Sequence, residues 1–421
     1  MIPLSWDEVA ALGLGQLERG SDGGPITGIS ADSRVAGPGD LFVALNAGVD
    51  FVDGARGRGA ATLVPDDQHA ALAALAHLVL SKSSTRVVAV VGSTGKTTTK
   101  DILGALCSPV VSTVFARASL NNEIGVPLTV CRLEPETELL VLEMGMRGLG
   151  QIATLCEIAR PDVVLVTSIG PEHLELVGSV ENVARANAEA IDALPAGGIA
   201  VVPTAERAPE LEPFLRRDDL DVRRFDPSAL TADAEFRVGE RTVRLELPFT
   251  QRHLLENTLA ALTTYEALGL PLDRAQEGAS RIELSLWRGE ERALPGGGFV
   301  INDAYNANPT SMRAALVDLS QRAAGRRRVA ILGEMAELGD HADAYHREIG
   351  EIVAQTVDVL IAVGAGARFY MTPGVPEMHA VDAVEGFGNL LKPGDAILVK
   401  ASRAVGLEGV PARIAKIAQS W

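Results

Sequence analysis

The stretch Val87-Val-Ala-Val-Val-Gly92-Ser-Thr-Gly95-Lys96-Thr97-Thr98-Thr99 narrows the possible folds more than any other part of this chain. A β-branched run stops at a glycine turn, and a lysine with three threonines then opens a helix. This order builds a phosphate cradle. Glycines let backbone N–H groups approach the oxygens, the helix start adds the positive end of its dipole, and Lys96 neutralises charge. Thr97 stands where a hydroxyl would hold Mg²⁺. The spacing is G-x-x-G-K-T, shorter between glycines than the common G-x-x-x-x-G-K-[ST], with Val90 where that motif begins. The plainer alternative is a strand-to-helix turn that happens to carry a lysine. Strand, glycines, lysine and hydroxyl all follow in order, so nucleotide binding by Gly92, Ser93, Thr94, Gly95, Lys96, Thr97 and Thr98 is expected.

A chain of 421 residues is too long for one core and implies two or three domains. Its 47% hydrophobic and 22% charged content is that of a folded globular protein. The net charge of −17 argues against a nucleic-acid surface, so any polyanionic substrate must be met by local cations and Mg²⁺. Residues 1–8 show no basic segment leading into an apolar stretch, and no apolar run reaches bilayer length. Cys107, Cys131 and Cys156 make an odd count without C-x-x-C spacing, which speaks against structural disulfides and zinc. A cytoplasmic protein without membrane insertion is expected. The absence of coiled-coil heptads points to a monomer.

Along the chain, residues 1–83 read as a small mixed α/β unit, with helices over 6–12 and 70–80 and strands over 26–30, 39–45 and 59–64. Asp32, Ser33 and Arg34 cluster just past a strand end, which on its own describes a turn. From residue 84 strands and helices alternate, as in a parallel sheet covered on both faces. Strands are expected over 87–91, 138–142, 163–169 and 198–202, and a helix over 97–106. Residues 203–250 look irregular, with a short strand over 242–247, and a long amphipathic helix follows over 251–268. The break at 294–298 suggests a linker or hairpin, and alternation resumes with strands over 299–302, 328–332, 357–363 and 395–399. Helices are expected over 311–323 and 342–355. In such sheets ligands sit beyond the carboxyl ends of strands, where the glycine loop, Glu143 and His173 all fall. A carboxylate there suits Mg²⁺, and a neutral imidazole can also reach it, although either could be an ordinary loop residue.

The motifs taken together resemble one family. Gly92-Ser-Thr-Gly-Lys-Thr-Thr98, Asn121-Asn-Glu-Ile-Gly-Val-Pro127, Leu142-Glu-Met-Gly145 and His173-Leu-Glu175 are similar to those of the Mur ligases. Asp303-Ala-Tyr-Asn-Ala-Asn-Pro309, Leu332-Gly-Glu-Met335, Glu337-Leu-Gly339 and Lys400-Ala-Ser-Arg403 extend the likeness. They point to the branch that adds D-Ala-D-Ala to UDP-N-acetylmuramoyl-tripeptide. The resemblance runs the whole chain, including Gly39-Asp-Leu-Phe-Val-Ala-Leu45.

It implies an α/β protein of three domains. A small mixed domain (1–83) would hold the uridine diphosphate end near Asp32, Ser33 and Arg34. A central P-loop-type parallel-sheet ATPase domain (84–290) would bind ATP, with Mg²⁺ at Thr97, Glu143 and His173. A Rossmann-like C-terminal domain (291–421) would complete the site. Lys96, Glu143, His173 and Asp303 would be catalytic, and Asn257, Arg288 and Asp303 would contact nucleotide. Asn121 and Asn122 would face substrate, with Asn306 and Asn308 near the dipeptide. The chemistry would pass through an acyl phosphate.

Three departures from the family pattern stand out. Asn187 occupies a position where relatives commonly carry a lysine, typically carbamylated and a magnesium ligand, with Glu189 a candidate replacement. The usual His-Asn pair reads His253-Leu254, and the loop at 46–50 is short. A related amide ligase of folate polyglutamate or cyanophycin type, and a non-catalytic nucleotide-binding subunit, are the alternatives. The 303–309 segment weighs against the first. Lys96, Thr97, Glu143, His173 and Asp303 together weigh against the second.

Overall fold

The computed structural model describes residues 1–116, 118–230, 234–381, 387–419 and 421. Its strands form three main sheets and one hairpin. The first sheet runs in the order Gly15–Glu18, Ala61–Pro65, Asp40–Val43, Gly28–Ser30, and only the Gly15–Glu18 strand is antiparallel to its neighbour. The Gln68–Leu80 helix starts where Asp67 accepts hydrogen bonds from the His69 and Ala70 amides, satisfying donors that a helix start leaves free. Leu72, Leu75 and Val79 are buried on that helix. Two bonds reach from this region into the next: the Ile2 amide to the Leu133 carbonyl at 2.5 Å, and His77 Nε2 to the Glu157 carbonyl at 2.7 Å.

The second sheet is parallel throughout, in the order Asp221–Phe225, Ile199–Pro203, Val163–Val166, Arg86–Val91, Leu139–Glu143, Thr113–Phe115. The strand that feeds the glycine loop lies inside this sheet and is covered on both faces, which accounts for its unbroken apolar run. Val88 and Val90 pack with Ile102, Leu103 and Leu259 of the Lys96–Cys107 and Arg252–Ala267 helices. Val87, Ala89 and Val91 face the opposite core with Ile152, Val183 and Ile191 of the Gln151–Ile158 and Val180–Asp192 helices.

The third sheet runs Glu290–Ala293, Phe299–Asn302, Ala396–Lys400, Arg328–Gly333, Val359–Val363, Glu377–Val381, parallel except for the first strand. The break at 294–298 is the turn of the antiparallel pair, closed by the Leu294 amide on the Gly298 carbonyl at 2.8 Å. The expected division at residues 290 and 291 therefore falls inside a strand.

Several expected elements change in extent. The strand expected to reach residue 169 ends at Val166. Thr167 keeps one backbone bond to the neighbouring Arg86–Val91 strand, its amide on the Val91 carbonyl at 2.9 Å, while its hydroxyl turns to the Thr94 carbonyl at 2.7 Å. Residues 203–250, read as irregular, supply the Asp221–Phe225 edge strand and the Glu235–Val238/Arg241–Arg244 hairpin. The edge strands Gly15–Glu18, Thr113–Phe115, Glu290–Ala293 and Glu377–Val381 were not expected. They are short, and none has a fully buried face to impose an apolar period. The cysteines are free and buried, and burial pushes each thiol up to about 12. Among the described residues no helix is long and apolar enough to cross a membrane.

The Ala275–Ala279 helix packs directly on the phosphate-loop helix. A Cβ at Gly278 would lie 2.4 Å from both the Ala105 carbonyl oxygen and Leu106 Cα. Backbone atoms of a buried helix cannot step aside cheaply, so Gly278→Ala should destabilise the fold by about 1–3 kcal/mol. A lowered midpoint in denaturant titration followed by circular dichroism checks this.

Candidate active site

The carboxyl ends of the second sheet's strands open into a cavity of about 760 Å³. Its wall includes the loop from Ser93 to Thr98, Glu143 and His173 on one side, with Asp303, Asn306, Asn308 and Lys400 of the third sheet's loops on the other. Most of the expected site residues therefore meet in one place. Asp32, Ser33 and Arg34 are not among its lining residues. They form an exposed turn in which Arg34 pairs with Asp32 at 2.7 Å and holds that carboxyl down at about 2.

The glycine loop is shaped by its surroundings. Gly92 and Gly95 have φ of 122° and 88°, a region that side chains disfavour. A Cβ at Gly92 would sit 2.4 Å from Thr167 Oγ1, and one at Gly95 would sit 2.5 Å from Asn257 Oδ1. The Gly92 amide donates to Asn187 Oδ1 at 2.6 Å, the Ser93 amide to the Ser168 carbonyl at 2.8 Å, and the Thr94 amide to Ser168 Oγ at 3.0 Å. Asn187 is thus a buried brace of the loop, its own Nδ2 donating to the Val183 carbonyl at 2.9 Å. Glu189, one candidate to replace the lysine, has its carboxylate engaged elsewhere. Its carboxylate accepts the Gly150 and Ala153 amides at 2.6 and 3.0 Å, at the start of the Gln151–Ile158 helix.

Lys96 folds back over the loop, donating to the Gly92 carbonyl and reaching Glu172 Oε2 at 3.5 Å. Burial raises the Glu172 carboxyl above its usual range, against the lowering pull of Lys96 and His173. Glu172 was missed in the sequence because it reads as one more loop acid beside His173. Thr97 Oγ1 lies 2.8 Å from Ser119 Oγ and accepts from Arg288 Nη2 at 3.0 Å. The Arg288 guanidinium stacks on Tyr305 at 3.9 Å, and its buried Nε has no hydrogen-bond partner among the described residues. Ser119 gave no signal in sequence. Its loop is anchored by fully buried Lys100, which pairs with Asp101 at 2.7 Å and donates to the Ala116 and Ala118 carbonyls at 2.5 and 2.8 Å.

Glu143 is almost wholly buried, and Asn121 Nδ2 donates to its Oε1 at 2.7 Å while Oε2 has no partner among the described residues. Asn121 therefore orients the carboxylate. Asn122 caps the backbone, accepting the Ile124 and Gly125 amides at 3.2 and 2.9 Å. His173 contacts Glu337 through Nδ1 and lies 3.9 Å from Glu172 Oε2 through Nε2.

Across the cavity, Lys400 donates to Asp303 Oδ2 at 2.5 Å and to the Asn306 carbonyl at 3.0 Å. Asn308 caps the Pro309–Arg322 helix by accepting the Ser311 amide at 2.9 Å, and its Nδ2 touches Thr94 Oγ1 at 3.3 Å. Among the described residues the buried Nδ1 of His253 has no partner, and burial lowers its pKa, favouring a neutral ring at the cavity wall.

Comparison with known proteins follows this geometry closely. The Mur ligase middle domain model matches residues 90–265, and the model for the Mur ligase glutamate ligase domain matches 287–403. UDP-N-acetylmuramoyl-tripeptide–D-alanyl-D-alanine ligase of Escherichia coli K12 is 32% identical, covering 91% of this chain and 92% of that protein. The chain belongs to the Mur ligase family. Two solved relatives of this Mur ligase share its architecture. MurF from Acinetobacter baumannii superposes with a TM-score of 0.83 at 27% identity, over 98% of this chain and 99% of the other. MurF from Thermotoga maritima, in complex with ADP, gives 0.77 at 27% identity over 93% and 98%.

In this Mur ligase, Gly95→Ala would force a side chain both into a left-handed conformation and against Asn257. The strain of about 1–3 kcal/mol should appear as a roughly 5–150-fold loss of ADP affinity if it is borne by the loop. Titration with a fluorescent ADP analogue, alongside an unchanged circular dichroism spectrum, measures it.

Proposed function

We propose that this enzyme uses ATP to join D-Ala-D-Ala to UDP-N-acetylmuramoyl-tripeptide, making an amide bond in peptidoglycan-precursor synthesis. The observation that carries the reading is the shared cavity. Lys96, Glu143 and His173 face Asp303, Asn306, Asn308 and Lys400 across it, so phosphate chemistry and an incoming acceptor can meet. The named full-length relatives support the choice of substrates.

The terminal carboxylate of the tripeptide is a poor electrophile and must be activated. One of its oxygens attacks the γ-phosphorus of ATP, the bond to the β-phosphate oxygen breaks, and an acyl phosphate and ADP result. Two anions approach each other in that step, and the Lys96 ammonium at the loop offsets their repulsion. The dipeptide amine then attacks the acyl carbon, the carbon–oxygen bond to phosphate breaks, and the nitrogen loses a proton. Enclosing the acyl phosphate between the two α/β regions limits its hydrolysis.

The residues fit Mg²⁺. Glu143 keeps one buried oxygen without a partner among the described residues, and Thr97 and His173 line the same cavity. Among the described residues no three His, Cys, Asp or Glu side chains group to hold a metal alone. Thr97, Glu143 and His173 would share the ion with phosphate oxygens, the usual arrangement for Mg²⁺. When bound it supplies positive charge to the transferring phosphoryl group.

Gly92 to Thr98, Asn257, Arg288 and Asp303 serve the nucleotide in this reading. Asn306 and Asn308 lie toward the dipeptide. Residues 1–83, with Asp32, Ser33 and Arg34, take the uridine diphosphate, residues 84–290 the ATP, and residues 291–421 the dipeptide. Asn121 and Asn122 act behind the substrate, through Glu143 and the loop backbone. The enzyme works as a cytoplasmic monomer, in keeping with its unpaired cysteines and lack of heptads.

Phosphate release from Mg·ATP should require both UDP-N-acetylmuramoyl-tripeptide and D-Ala-D-Ala, with an amide product seen by mass spectrometry. Lys96→Ala should lower kcat by about 10²–10³-fold. Tight ATP binding with no release in the presence of both substrates would overturn the reading.

A further inference from the structure

Glu337 has no part in the reaction as assigned above, yet it is the third region's most direct hold on the proposed metal site. It lies in the loop that follows the Arg328–Gly333 strand. Its carboxylate contacts Nδ1 of His173, across the cavity from its own sheet. Both residues carry side chains on left-handed backbone, with φ of 51° at His173 and 61° at Glu337. Such conformations are costly and persist only where surrounding contacts fix them.

Those contacts are present on both sides. The Glu175 amide donates to the Glu337 carbonyl at 3.1 Å, and a Cβ at Gly339 would stand 3.0 Å from Glu175 Cα. The loop is tied to its own region by the Ala336 amide on Ser402 Oγ at 2.8 Å and the Met335 amide on His346 Nε2 at 3.0 Å. Arg147 Nε lies 3.7 Å from the second Glu337 oxygen, a weak hold on an exposed arginine.

The chemistry of a ligating histidine gives this contact its meaning. A carboxylate that accepts Nδ1–H fixes the ring's orientation and leaves Nε2 with a free lone pair, which is what a cation needs. Nε2 is the nitrogen that faces Glu172 at the cavity wall. Here the orienting carboxylate is supplied by a different sheet from the one that carries the histidine. The ring is therefore set only when the third region stands over the central one.

We propose that Glu337 is a positioning residue that couples seating of the third region to readiness of His173 as a cation ligand. The inference rests on the reading that His173 belongs to the metal site. Cation capture and closure then support one another: each fixes the same ring from opposite sides.

The test uses the full chain, a non-hydrolysable ATP analogue, and Mn²⁺ followed by electron paramagnetic resonance. Glu337→Ala should weaken Mn²⁺ binding in the nucleotide complex by about 10–100-fold, the usual scale for losing such a partner. Analogue affinity in EDTA and the thermal midpoint should stay near wild type. Glu337→Gln, which keeps an oxygen acceptor, should recover much of the affinity. In turnover, Glu337→Ala should shift the Mg²⁺ dependence and approach wild-type kcat at high Mg²⁺. Combined with His173→Ala, it should cost nothing further. Wild-type Mn²⁺ affinity in Glu337→Ala, or a loss that adds in full to that of His173→Ala, overturns the coupling while His173→Ala alone still reports the metal site. Unchanged Mn²⁺ affinity in His173→Ala overturns the metal reading and the coupling with it.

Discussion

Everything at this site depends on holding a bare strand of backbone open toward the cavity. The free amides at the start of the Lys96–Cys107 helix can meet a phosphate only if the glycine stretch before them keeps its shape, and it will not do so unaided. Here neighbouring loops hold it. Asn187 takes the Gly92 amide, Ser168 takes the next two through its carbonyl and hydroxyl, and Thr167 ties the Thr94 carbonyl. Asn257 fills the space that a side chain at Gly95 would need. The loop is therefore rigid because adjacent strands of one parallel sheet end beside it, and because a helix from later in the chain closes over it.

The second organising feature is charge. A chain with a net charge of −17 must gather polyanions with a few well-placed cations. Three of the cavity's cations are held by partners that aim them: Lys96 by Glu172, Lys400 by Asp303, Arg288 by the Tyr305 ring and the Thr97 hydroxyl. Pairing keeps the long side chains in place. It also lets an arriving phosphate compete for donors already aimed into the cavity, and lessens the reordering that binding would otherwise require.

Much of this was legible in the sequence, for definite reasons. The buried parallel strands announce themselves as unbroken apolar runs, and the polar clusters at their carboxyl ends mark the site. What escaped was of two kinds. Edge strands such as Glu290–Ala293 have no buried face to impose a period. Residues such as Ser119, Glu172 and Glu337 act through partners far away in sequence, and no local pattern distinguishes a serine that meets Thr97 from one in a turn. The sequence marks Asn187 only as a departure from the family pattern, and it is burial and the bond to Gly92 that make it part of the loop's scaffold.

The contact between Arg288 and Thr97 bears on how the proposed ion would bind. The guanidinium stands on the hydroxyl that the proposed ion would use, and one hydroxyl oxygen cannot comfortably serve both positive groups. Binding the proposed ion would then be an exchange, the arginine giving up the threonine as the nucleotide brings its own counter-ion. The same guanidinium lines the cavity, so the charge that leaves the threonine stays at hand for an incoming phosphate.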